Sequence, residues 1–129
     1  MRKKWATFGG VFYNFLEDMK KEAVKSDYVV KLAAAIFNKN KFVCMGHNKT
    51  KQHPILLKKY KLYSTHAECD VILKSKNEGN ILIVVRVRRQ DGKFTMAKPC
   101  KKCMSFIKDS GIKKIWFTNW NGELEFLKV

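Results

Sequence analysis

The chain has 129 residues, with 27 Lys plus Arg against 11 Asp plus Glu and a formal net charge of +16. That length suits one hydrophobic core, so a single domain over 1–129 is expected, with no linker, repeat or low-complexity segment dividing it. No apolar run approaches the ~20 residues that a membrane-spanning helix needs, and four cysteines with no secretory signal before them are expected as reduced thiols in a cytoplasmic protein.

The first element reads as a helix, because Phe12, Phe15, Leu16, Met19 and Ala23 recur at helical spacing, with Glu17, Asp18, Lys20 and Lys21 on the other side. A strand pair follows, Val30 to Phe37 and Phe42 to Met45, turned by Asn38-Lys39-Asn40. Gly46 to Ser64 reads as a long loop, and long ordered loops in small domains are often functional. His66 to Lys76 is a helix with Ala67, Val71 and Ile72 among its apolar positions. Ile81 to Val87 is β-branched and almost unbroken, the pattern of a central strand covered on both faces. After Asp91-Gly92 the chain leads through Phe94–Ala97 to Pro99, and Cys100 to Ser110 makes a last helix stopped by Gly111. Ile112 to Trp120 is a strand, Asn121-Gly122 favours a type I′ turn, and Glu123 to Lys128 returns antiparallel.

Two of these helices open on residues that bind metal. His66-Ala67-Glu68 and Pro99-Cys100-Lys101-Lys102-Cys103 offer one imidazole and two thiolates to a single Zn2+. Three protein ligands leave a tetrahedral zinc one open position, which is what separates a catalytic site from a structural one. Helix N-termini favour the thiolates. Glu68, two residues past His66, is placed to face a bound water, a general acid/base position. A structural site would need a fourth protein ligand from Cys44, Cys69, His47 or His53. Cys69 points away from His66 on a helix and reads as a core cysteine, and Cys44 sits in a strand and reads as packing.

The H-A-E pattern with a later P-C-x-x-C resembles the zinc-dependent cytidine deaminase superfamily over most of the chain. The resemblance implies an α/β fold, a three-layer α/β/α sandwich whose central mixed sheet carries both zinc helices on one face and ends in a C-terminal antiparallel hairpin. It implies that His66, Cys100 and Cys103 hold zinc, and that Glu68 moves a proton from the activated water to the ring nitrogen and then to the departing ammonia. It also implies that the Ala67 N–H helps read the base. Gly46-His47-Asn48 resembles a segment whose asparagine contacts the sugar, which makes Asn48 a sugar-binding candidate beside its plain reading as a turn residue. Thr50 to Pro54 resembles a segment of phage-type deaminases, where His53 touches substrate at the pocket mouth or only bonds the loop. The C-terminal hairpin resembles small nucleoside deaminases, whereas a histidine ligand resembles the deoxycytidylate, tRNA-adenosine and polynucleotide enzymes, so the subfamily stays open.

So large a positive excess attracts polyanions. A lysine-rich composition, 23 Lys to 4 Arg, explains lysine replacing arginine but not the scarcity of acids. Single-stranded nucleic acid is therefore the favoured partner, with exposed aromatics as stacking platforms. Tyr60, Tyr63, Trp116 and Trp120 are the candidates, Trp116 assigned to the core and Trp120 to the surface. The expected activity is hydrolysis of cytosine to uracil in single-stranded DNA or RNA. The alternative is free cytidine, deoxycytidine or their monophosphates, with adenine open as the target base. A non-catalytic zinc module for nucleic acid is the distant third, and Glu68 argues against it. A homo-oligomer is left open beside a monomer.

Overall fold

Alternation along the strands Lys31–Asn38, Ile81–Val87 and Lys114–Thr118 builds two cores, one on each side of a single sheet. The computed structural model describes residues 13–39, 41–76 and 78–129; Phe12 of the expected first helix and Asn40 of the expected turn lie outside them. The elements run α1 (Tyr13–Ala23), β1 (Lys31–Asn38), β2 (Lys41–His47), α2 (Pro54–Tyr60), α3 (Ala67–Ser75), β3 (Ile81–Val87), β4 (Phe94–Thr95), α4 (Lys101–Asp109), β5 (Lys114–Thr118) and β6 (Leu124–Lys128). The sheet order is β2-β1-β3-β5-β6, with β4 pairing β3 off this path. β3 is antiparallel to β1 and parallel to β5, and β6 returns antiparallel to β5, so the sheet is mixed.

Ala34, Ile36, Leu82, Val84, Ile115 and Phe117 face a core shared with Leu56 of α2, Val71 of α3 and Ile107 of α4. Their neighbours Ala33, Ala35, Phe37, Ile83 and Val85 face the opposite way, onto Phe15 and Met19 of α1. Both faces of β3 are thereby covered, as its unbroken apolar run requires. This is the three-layer α/β/α arrangement, with both motif-bearing helices on one face.

Three local expectations are corrected. The stretch from Gly46 to Ser64 is not one loop: β2 extends to His47, and Pro54–Tyr60 forms α2. Pro54 sits in the first turn, where its missing N–H is harmless, while the His53 side chain caps by accepting from the Ile55 N–H and Lys61 closes the helix at φ 59°. The final strand stops at Thr118, leaving Trp120 in the turn. Its type is not I′, because among residues 119–122 only Gly122 has positive φ, at 80°. The Asn119 side chain shapes it instead, accepting from the N–H groups of Asn121 and Glu123 at 2.9 and 3.0 Å.

Candidate active site

His66 is held at the start of α3 by a bridge behind it. Lys49 and Thr65 exchange backbone hydrogen bonds at 2.8 and 3.0 Å, and the Thr65 hydroxyl donates to the Lys51 carbonyl at 2.7 Å. His66 is the N-cap of α3 yet makes no side-chain cap bond, so its ring is left to face the two cysteines. Cys100 is the N-cap of α4, accepting from the Cys103 N–H at 3.4 Å. The lead-in to Cys100 is pinned where the Ala97 N–H donates to the Thr118 carbonyl at 2.8 Å. Two helix N-termini thus converge, and both dipoles favour negative charge between them.

The ligand atoms of His66, Cys100 and Cys103 lie within 4.8 Å of one another, the group among the described residues that can hold a metal ion. Zinc at ordinary Zn–S and Zn–N lengths keeps tetrahedral neighbours about 3.6–3.8 Å apart. His66 Nδ1 lies 3.8 Å from Cys100 Sγ, on that edge length, and 2.9 Å from Cys103 Sγ, contracted to hydrogen-bond range. One imidazole and two sulfurs are also the donor chemistry that zinc prefers. Hydrogen bonds from Cys103 and His66 draw the Cys100 thiol down to about 3. The hydrogen bond to Cys100, the neighbouring Cys69 thiol and burial all push Cys103 up. The hydrogen bond to Cys100 outweighs burial and raises His66. The lowered Cys100 thiol, beside an imidazole and a second sulfur, suits this group to a cation.

Glu68 follows in the first turn of α3 and is only 3% exposed. Burial raises its pKa above the carboxylate norm. Ala67, the first helical residue, is fully buried. Lys102, between the two cysteines on α4, donates to the Lys61 carbonyl at 3.1 Å, and its Nζ lies 5.7 Å from the centroid of the exposed Tyr63 ring.

The other sequence candidates fall elsewhere. Asn48 is buried, its Oδ1 accepting from the Leu32 N–H at 3.1 Å and its Nδ2 donating to the Val30 carbonyl at 2.7 Å, which ties the end of β2 to the start of β1. His53 Nδ1 accepts from the Ile55 N–H at 3.3 Å as the cap of α2. Cys44 donates to the Val71 carbonyl at 3.5 Å, and Cys69 is a fully buried core thiol. His47 Nδ1 lies 2.7 Å from Glu22 Oε2. None of the four alternative ligands joins the metal group. Trp116 is half-buried with its ring 5.1 Å from that of Phe126, and Trp120 is exposed. Tyr60 donates to Asp109 Oδ2 at 2.5 Å.

Asp70 was not singled out by the sequence. It is buried in α3, with its carboxylate 2.9 Å from Lys49 Nζ and 3.3 Å from Lys74 Nζ, and so braces the segment leading to His66. The Asp70–Lys74 spacing was a readable signal; the Lys49 contact, between residues 21 apart, was not.

A family model described as the cytidine and deoxycytidylate deaminase zinc-binding region matches residues 11–119. No protein of curated function matches the sequence. Among solved structures, cytidine deaminase from Mycobacterium leprae is 18% identical, with a TM-score of 0.54 over 85% of this chain and 87% of that one, a likeness of fold. A dCMP deaminase from the cyanophage S-TIM5, solved with dCMP and dUMP, is 16% identical, with a TM-score of 0.49 over 84% of this chain and 83% of that one.

Proposed function

The chain belongs to the cytidine and deoxycytidylate deaminase family, and we propose that it converts cytosine to uracil by zinc-dependent hydrolysis, acting on single-stranded DNA or RNA. The observation that carries the chemistry is the meeting of His66, Cys100 and Cys103 at two helix N-termini, with the buried Glu68 carboxylate in the first turn of one of them. His66, Cys100 and Cys103 would hold the ion. Zinc bound there supplies a water acidic enough to act as a nucleophile near neutral pH.

Glu68 is the general base and then the general acid. It accepts a proton from water as the C4–O bond forms and delivers it to ring N3; it then takes the remaining proton of the new C4 hydroxyl and passes it to the amino group, so that the C4–N bond breaks, ammonia leaves and C4 keeps a carbonyl oxygen. Burial raises the Glu68 pKa toward neutrality, the range in which one group can both take up and give back a proton. We assign the Ala67 N–H, at the positive end of α3, to bonding the base, and Asn48 to holding the segment that leads to Lys49 through its bonds to Leu32 and Val30.

The net charge of +16 supports a polynucleotide substrate. A second reading, free cytidine or deoxycytidylate, is favoured by the substrates that name the family. Uracil formation by zinc-loaded protein separates them, comparing cytidine, deoxycytidine, dCMP and a single-stranded oligonucleotide at matched cytosine concentration. Turnover of the oligonucleotide supports the first reading; turnover of monomers alone supports the second.

A further inference from the structure

At the end of the sheet from which both ligand segments depart lies an open groove of about 650 Å3 lined by Val29, Val30, Arg86, Arg89, Thr95 and Trp120 among others. Register fixes this placement: Lys31 at the start of β1 pairs with Val87 at the end of β3, and Ala33 pairs with His47 at the end of β2. One wall connects to the first ligand segment through the Val30 carbonyl, which accepts from Asn48, the residue before Lys49 and its bridge to Thr65. The other connects through Thr95, five residues before Cys100 and so at most about 18 Å from it along the chain.

The floor is cationic. Leu82 and Val84 face α3 and α4, so Arg86, next in that alternation, lies on the ligand-bearing face of β3 at its C-terminal end. Arg86 is half-buried and Arg89 exposed, and among the described residues neither makes an ion pair. Arg88 differs, because Asp91 takes its guanidinium. A partly desolvated guanidinium without a carboxylate is a seat for an anion, above all a phosphate. Exposed apolar side chains line the same groove: Trp120 is 72% exposed and Val29 66%. Arginines without an ion pair and a bare indole in one groove are the two components of single-strand binding, a charged track and a stacking platform.

We propose that this groove holds the nucleotides flanking the target cytosine, with backbone phosphates on Arg86 and Arg89 and a flanking base stacked on Trp120. The assignment rests on the single-stranded reading above and extends it to a defined track. The surface would then contribute to choice among oligonucleotides as well as to attraction.

The test compares kcat/KM for a 15-nucleotide single strand bearing one central cytosine with kcat/KM for deoxycytidine, using zinc-loaded protein. The variants are Arg89→Glu with Trp120→Ala, and Lys41→Glu as a charge-matched control at the opposite end of β2. Anisotropy of a labelled cytosine-free 15-mer reads binding without catalysis. The groove predicts that the ratio of oligonucleotide to nucleoside activity falls about ten-fold or more in the double variant, with weaker binding of the labelled strand, and stays within two-fold in Lys41→Glu. Wild-type turnover of the oligonucleotide with an equal drop in both variants, or none in either, overturns the groove and leaves the single-strand reading standing. No wild-type turnover of the oligonucleotide overturns that reading, and the groove with it.

Discussion

Cys103 Sγ lies 2.9 Å from His66 Nδ1 across 37 residues of sequence, and this contact joins the first turns of α3 and α4. The remaining ligand differs in setting: Cys100 caps α4 from an exposed position, whereas Cys103 has no exposure and belongs to the core packed by α3, α4 and the sheet.

Serine at the two cysteines should therefore have unequal costs. Both Cys100→Ser and Cys103→Ser are expected to lose zinc, read by metal analysis of purified protein. Cys103→Ser also puts a hydroxyl into the core beside Cys69 and should lower the melting temperature of metal-free protein by several degrees, about 1–3 kcal/mol. Cys100→Ser should lower it little. Equal melting temperatures would show that the core position of Cys103 is energetically unimportant.

Asn48 bonds the backbone of β1 through both ends of its amide. Asn48→Ala leaves the Leu32 N–H and the Val30 carbonyl without these partners and should cost about 1–3 kcal/mol in urea unfolding. Asn48→Asp keeps the acceptor and loses the donor, so its cost should be intermediate. An alanine variant of unchanged stability would remove the structural role and leave only substrate contact.

Glu22 on α1 faces His47 at the end of β2, 2.7 Å away. Burial pushes the Glu22 carboxyl up, but hydrogen bonds from His47 and Lys25 outweigh it and hold the group below its ordinary 4.5. A depressed folded pKa adds stability that is complete above the unfolded value and disappears as pH falls through the folded one. Glu22→Gln should thus be less stable than wild type by about 1 kcal/mol at pH 7. The gap should close as pH drops below 4.5 toward the depressed value. Denaturant midpoints at pH 7 and near pH 4 check this; a gap that widens in acid would reverse the sign.

Much of the architecture could be read from the sequence because its signals are local. The β-branched run 81–87, the caps at His66 and Cys100, and Gly111 at φ 82° each act within a few residues. α2 was missed because its seven residues carry one buried side chain, Leu56, too few to display a period. The Asn-Gly pair marked the hairpin but not its turn type, since the Asn119 side chain supplies bonds that an I′ turn would have made in another way. At the site, the ligand motif was visible in spacing, whereas the double role of Asn48 in backbone bonding and the Lys49–Asp70 brace are contacts between distant segments. The arginine groove assembles from β3, the segment before β1 and the last turn, so composition announced its charge and only the fold gave it a shape.

The most direct measurement is uracil formation and zinc content in the same samples of wild type and Glu68→Gln, on a cytosine-containing single strand. Glu68 is buried beside the ligands but is not one of them, so the variant should keep its zinc while turnover falls at least about 100-fold. A zinc-loaded Glu68→Gln protein that deaminates at the wild-type rate would contradict the assignment of Glu68 as the proton carrier and, with it, the mechanism proposed for this site.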